Sequence, residues 1–148
     1  MVSLVIESPD ERVDGNAAQE LSTVLFVCLH GSAKSVIAAQ YFNRGARDRG
    51  LAYVAESAGV EADAEVPEAV LASLGRDGFD VRGQRPQPIT AETVARAGRV
   101  ISLGCELPTQ TASSTNEAWE DLPMVSDGYD TARDAIVERV ERLLDSLR

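Results

Sequence analysis

The feature that most restricts the fold of this chain is alternation: short apolar runs that read as strands are each followed by a stretch with helical periodicity. "TVLFV" at 23–27 is continuous, apolar and largely β-branched, the composition of a strand buried on both faces. In "AKSVIAAQYFNRGARDRG" after it, Val36, Ile37, Tyr41 and Phe42 recur at helical spacing, and Gly50 fits a stop just past the end. "LAYVAESAG" reads as a second short strand. "VPEAVLASLGRDGF" reads as a helix started by Pro67, with Val70, Leu71 and Leu74 on one face. "ITAETVARAG" offers Thr90 as the N-cap of a short third helix, "RVISLGC" is a buried-type strand finishing on Cys105, and "EAWEDLPMV" is a fourth strand. "DTARDAIVERVERLLDSLR" closes the chain as a helix with Ile136, Val140, Leu143, Leu144 and Leu147 inward. The alternation predicts a single-domain α/β fold: a parallel sheet of about four strands, right-handed crossovers, and helices on both faces.

A length of 148 residues suits one compact domain. We place it at 22–148, because residues 1–21 hold five acids (Glu7, Asp10, Glu11, Asp14, Glu20) against one arginine and no sustained period. That segment reads as a loosely ordered acidic arm, with "SLVIE" offering at most a short edge strand. "TQTASSTNEA" reads as a polar surface loop. A formal net charge of -10 argues against nucleic acid or an anionic membrane as the main partner, since both are held by dense Lys and Arg. No apolar run approaches the ~20 residues of a membrane span, and the N-terminus lacks a secretory pattern, so a cytoplasmic protein is expected. Two cysteines, Cys28 and Cys105, are too few for a disulfide framework and in a reducing compartment are either reactive or simply buried.

Ligands of parallel sheets bind beyond the carboxyl ends of the strands, and both cysteines are expected on that rim. The stretch "VLFVCLHGSAKS" at 24–35 carries the chemistry. A strand, a cysteine, a turn containing glycine and then a helix aim the backbone N–H groups of Leu29, His30, Gly31, Ser32, Ala33, Lys34 and Ser35 at one point. The helix end adds about half a positive charge, which makes an oxyanion cradle. The same amides, with Lys34 and His30 nearby, favour a thiolate at Cys28. Lys34 and His30 are the chain's single lysine and single histidine. A nucleotide-binding phosphate loop does not fit, because Cys28 and Ala33 occupy its two glycine positions. A zinc site from Cys28, His30 and Cys105 is one ligand short, and we expect no bound metal or cofactor.

This stretch resembles the phosphate loop of the low-molecular-weight protein tyrosine phosphatases and of the thioredoxin-coupled arsenate reductases that share their fold, whose pattern is Cys, five residues, Arg, Ser. "ESAGVEA", "VPEAV", "RVISLGCELP" and the closing "ARDAIVERVERLL" fall in the family's order, over roughly 22–148. Two departures lie inside the motif. The usual Gly-Asn is His30-Gly31, and glycine tolerates the left-handed conformation that asparagine supplies. The arginine is Lys34, which weakens a bidentate clamp on equatorial phosphoryl oxygens more than simple oxyanion capture. Ser35 keeps the family's hydroxyl.

A phosphatase of this family also needs a general acid, usually in an Asp-Pro pair. "WEDLPMVSDGYD" has no such pair; Asp127 is the first candidate by position and Asp121 the second. A reductase needs a second thiol. The resemblance implies that arsenate condenses on Cys28 and that Cys105, which matches the resolving position, attacks the adduct's sulfur, releasing arsenite and leaving a disulfide for an external reductant, thioredoxin or a small thiol. The second cysteine that family members commonly carry in the later segment is absent. The resulting expectation is an arsenate reductase acting on arsenate or a phosphate-like oxyanion. A weakly active phosphatase and a non-catalytic oxyanion sensor are the alternatives, with His30 left open as thiolate partner, substrate contact or solvated turn residue.

Overall fold

The computed structural model describes residues 21–108 and 116–147. Its elements, in chain order, are β1 Ser22–Cys28, α1 Lys34–Arg49, β2 Tyr53–Gly59, α2 Glu68–Arg76, α3 Ala91–Arg96, β3 Arg99–Leu103, β4 Asn116–Trp119, a single 3₁₀ turn at Val125–Asp127, and α4 Tyr129–Ser146. The sheet order is β2-β1-β3-β4 with every pair parallel, the doubly flanked arrangement that alternation requires. The acidic arm up to residue 20, its candidate strand, and most of the polar loop before β4 lie outside the described residues.

β1 is central, and Val24, Leu25, Phe26 and Val27 are fully buried, as a strand covered on both faces must be. One face carries most of the core. Phe26 meets the rings of Phe42 from α1 and Trp119 from β4 at 5.9 and 5.5 Å, over Val70 and Leu74 of α2 and Ile136, Val140 and Leu144 of α4. The other face is thinner: Leu25, Val27, Ala58, Ile89 and Val100 are joined there by Val94 of α3, with Cys105 and Leu107 at the edge. Helices therefore lie on both faces, unequally.

Several boundaries follow the sequence. Gly50 ends α1 in the left-handed conformation at φ 67°, and Thr90 and Thr93 exchange side-chain and backbone hydrogen bonds in a capping box that starts α3. Three others need correction. β3 stops at Leu103, two residues before Cys105, because Gly104 turns to φ 72° and breaks the extended run. β4 ends at Trp119, and the rest of "EAWEDLPMV" is a bend, with Asp121 at φ 65° just ahead of Leu122-Pro123. Leu147 caps α4 and is only partly buried against the core.

Asp77, just past α2, ties the helical layer together. Its carboxylate accepts hydrogen bonds from Tyr41 of α1 at 2.8 Å, from Tyr129 of α4 at 3.0 Å, and from Arg133 of α4 at 3.2 Å. Burial opposes its ionisation, yet these three donors hold its carboxyl below the usual carboxylate range. Burial and the bond to Asp77 in turn push the Tyr41 phenol up to about 12.

Candidate active site

The register brings the site together. Cys28 ends β1 opposite Gly59 of β2, and Val27 faces Ser102 of β3, so the loops after all three strands meet at the carboxyl rim. In the loop from Cys28 to α1, the carbonyls point outward to the segment after β2. Cys28 accepts from Val60 N at 3.2 Å, Leu29 from Glu61 N at 2.7 Å, and His30 from Asp63 N at 3.0 Å. Among the described residues, none of the N–H groups of Leu29, His30, Gly31, Ser32 and Ala33 donates to a protein acceptor. With these three carbonyls turned away, those amides are left for a ligand.

Gly31 makes the turn possible. It sits at φ 64°, and a Cβ there would lie 2.6 Å from Gly59 N. Two backbones thus touch where any side chain would part them. The first bond of α1 runs from Ile37 N to Ala33 O, so the N–H groups of Lys34, Ser35 and Val36 lack intrahelical partners. Among the described residues nothing else satisfies the helix end: Ala33 gives no side-chain cap and the first turn holds no acid. An anion completes such an end through both the amides and the dipole.

Cys28 is buried, 6% exposed, at the base of this cradle. Its sulfur is 3.1 Å from the Ser35 hydroxyl, and once the sulfur is ionised the hydroxyl is the only possible donor between them. A cavity of about 330 Å³ opens above, lined by Cys28, Leu29, His30, Ala33, Lys34, Leu103, Gly104, Met124 and neighbouring serines. Lys34 Nζ crosses to the far wall, 4.0 Å from Met124 Sδ and 3.2 Å from where a Cβ on Gly104 would stand. Gly104 therefore serves twice, for its positive φ and for the space it leaves the ammonium group.

Cys105 lies around the corner. It is half-buried against the thinner core face, its thiol 3.7 Å from the carbonyl of Val27, the residue before Cys28. Burial first and then the charge of Cys28 push the Cys105 thiol up, while Leu103 backbone and Lys34 pull the other way. Cys105 borders a second cavity, of about 500 Å³, which shares Lys34, Gly104 and Met124 with the first and adds Glu106, Glu120 and Asp121.

The candidate acids lie elsewhere. Asp127 is exposed at the end of the 3₁₀ turn; Val125 and Ser126 line the Cys28 cavity and Asp127 does not. Asp121 faces the Cys105 side. Sequence reasoning missed Asp63 and Met124. Asp63 accepts from Ser32 Oγ at 2.8 Å and stands 3.4 Å from His30 Nδ1, so it braces the loop from outside. His30 also lies 3.4 Å from the Glu61 carbonyl. The signal available was topological: in a parallel sheet the residues just past β2 must lie beside the loop just past β1.

The model of the low-molecular-weight phosphotyrosine protein phosphatases matches residues 23–148, nearly the whole described fold. The chain belongs to this family. Among solved structures it is similar to the thioredoxin-dependent arsenate reductase of Corynebacterium glutamicum, at 24% identity and TM-score 0.70, covering 90% of this chain but 65% of that one. It is also similar to an arsenate reductase in a phosphate-binding state, at 27% identity and TM-score 0.71, covering 86% of this chain and all of the other (100%). A third likeness is the low-molecular-weight protein tyrosine phosphatase from T. tengcongensis, at 20% identity and TM-score 0.73, covering 85% and 99% of the two chains. The first and third likenesses speak to the fold alone. Comparison with curated proteins gave no match. Membership of this family accounts for the cysteine, the amide-lined turn and the hydroxyl at Ser35; the lysine at position 34 departs from the family's Cys-x5-Arg-Ser pattern.

Proposed function

We propose that this member of the family is a thiol-dependent arsenate reductase. One observation carries the reading: a second thiol, Cys105, lies 3.7 Å from the carbonyl of Val27, the residue before Cys28, while among the described residues no carboxylate lines the Cys28 cavity. In the proposed cycle the loop amides and Lys34 hold arsenate, and the Cys28 thiolate attacks arsenic as one arsenate hydroxyl takes a proton and leaves as water. Cys105 then attacks the Cys28 sulfur. The sulfur–arsenic pair returns to arsenic, arsenite leaves, and a Cys28–Cys105 disulfide remains for thioredoxin or a small thiol to reduce. Lys34 is a point charge suited to holding an ion whose departing group is only water.

A phosphatase reading has its own support in the Cys28–Ser35 pair and the family's name, but it requires an acid beside the leaving oxygen. The two are separated by coupling the protein to thioredoxin, its reductase and NADPH. Arsenate-dependent NADPH oxidation is expected, lost in Cys28→Ser and limited to one turnover in Cys105→Ser. Normal cycling by Cys105→Ser would remove the resolving role. Hydrolysis of aryl phosphate with no arsenate-dependent oxidation would replace the reductase by the phosphatase.

A further inference from the structure

We infer that the Cys28 cavity takes organic arsonates, R–AsO₃, with the apolar substituent R lying between Leu29 and Met124. This rests on the reductase reading above and names a substrate class within it. The cavity, about 330 Å³, has the size of a small-molecule site, for which about 300–1,000 Å³ is usual, rather than of a pocket closed around one tetrahedral ion. Its mouth is apolar. Leu21, Leu29 and Met124 are the exposed large hydrophobic side chains among the described residues, and two of the three border this one opening, Leu29 43% and Met124 55% exposed. Leu103 and Val125 continue the same wall. Apolar surface left in water around a nucleophile is a surface waiting for an apolar group.

The identity of that group follows from what the cavity lacks. An organic phosphate ester must expel an alcohol, and a positioned acid has to protonate it. Among the described residues no carboxylate lines this cavity, and the His30 Nδ1 faces Asp63 and the Glu61 carbonyl. An arsonate keeps its organic group, because the carbon–arsenic bond is never broken. Replacing one arsenate oxygen by carbon also removes an ionisable hydroxyl, which suits a cavity whose one permanent side-chain cation is Lys34.

The step balances. The Cys28 thiolate bonds to arsenic of R–AsO₃H⁻, and one oxygen leaves as water with a proton from the Lys34 ammonium group or from solvent. Cys105 as thiolate attacks the Cys28 sulfur, the sulfur–arsenic bond breaks, and its electron pair stays on arsenic. R–As(OH)₂ forms after protonation, arsenic is reduced by two electrons, and two thiols become one disulfide, restored by an external dithiol.

The test runs phenylarsonate and arsenate side by side in the thioredoxin-coupled assay, with wild type and Met124→Ser, whose folding is followed by circular dichroism. Phenylarsonate is expected to be reduced at least as efficiently as arsenate. In Met124→Ser the ratio of kcat/KM for phenylarsonate to that for arsenate is expected to fall by roughly tenfold, the scale of a lost apolar pocket contact. Reduction of arsenate without phenylarsonate overturns this inference and leaves the reductase reading standing. An unchanged ratio in Met124→Ser overturns it as well. Turnover of neither arsenical, with or without hydrolysis of phenyl phosphate, overturns both.

Discussion

Gly59→Ala is the sharpest probe of the loop, because it adds one methyl group where two backbones meet. A Cβ at Gly59 would stand 2.6 Å from Gly31 N, 2.6 Å from the His30 carbonyl carbon and 2.9 Å from Gly31 Cα. All three are main-chain atoms, so no side chain can rotate away. Gly59 cannot withdraw either, since its N–H donates to Gln87 O at 2.9 Å and its carbonyl accepts from Ile89 N at 2.9 Å. The loop must give way. Overpacking of this kind costs about 1–3 kcal/mol. With a urea slope of about 1–3 kcal/mol/M for a small domain, the unfolding midpoint drops by roughly 1 M. Gly31→Ala meets the same backbone and also forces a side chain into the left-handed region, a further ~1–2 kcal/mol, for a total of about 2–5 kcal/mol. If about 1.4 kcal/mol of the distortion falls on the amide cradle, phosphate binding weakens by roughly tenfold. Urea unfolding by circular dichroism and phosphate titration by calorimetry read the two effects separately. A Gly59→Ala protein with the wild-type midpoint and wild-type phosphate affinity would refute the close approach. Equal costs for the two variants would refute the strain assigned to Gly31.

Removing the Asp77 carboxylate strands Tyr41, Tyr129 and Arg133 around a mostly buried position, so Asp77→Asn is expected to lose on the order of 3 kcal/mol at neutral pH in urea unfolding. Because the folded carboxyl titrates below its unfolded value near ~3.9, its stabilisation is present above that pH and lost as pH falls through the lower folded value. Acid unfolding of wild type should therefore steepen below about pH 4 and that of Asp77→Asn should be flatter there; parallel acid limbs would contradict the assignment. The Cys105 thiol, pushed up by burial and then by Cys28, should alkylate more slowly than a free thiol near neutral pH, and Cys28→Ser should move its pH profile downward. An unmoved profile would separate the two sulfurs. Phe26→Ala, at a fully buried ring between Phe42 and Trp119, is expected to cost about 3–5 kcal/mol by urea unfolding, and a loss under 1 kcal/mol would deny the ring cluster its place in the core.

What the sequence made legible is what periodicity and turn chemistry encode locally. The run ending at Cys28, the stop at Gly50, the cap at Thr90 and the inward row Ile136, Val140, Leu143 and Leu144 of α4 each depend on a few neighbouring residues, and each stands where the pattern puts it. The strand ends at Leu103 and Trp119 were not legible, because further apolar residues follow soon after each, Cys105 after the first and Leu122, Met124 and Val125 after the second. Chain direction there is set by Gly104 and Asp121 adopting positive φ, a choice made by tertiary packing rather than by hydrophobicity. The same holds for the site. Cys28, Gly31 and Ser35 lie within one loop and its helix, whereas Asp63 and Met124 join it only through the stacking of three loops on one rim. Asp127 fits a motif position, yet the 3₁₀ turn presents Ser126 to the cavity in its stead.

For an acidic protein, the proposed capture of an oxyanion looks contradictory until distances are compared. The net charge of -10 is spread over the chain, and beyond about 8 Å at physiological ionic strength such charges are largely screened. The loop amides, the uncapped start of α1 and Lys34 act at contact, where screening has little hold. Asp63, which reaches the loop from the segment after β2, accepts from Ser32 Oγ at 2.8 Å and stands 3.4 Å from His30 Nδ1, so its carboxylate holds the cradle's shape from outside. Fixed dipoles of this kind cost nothing to reorganise when the ion arrives. Under the proposed reductase reading, one lysine suffices beside these dipoles, because the ion is held next to a sulfur with no departing alcohol to clamp.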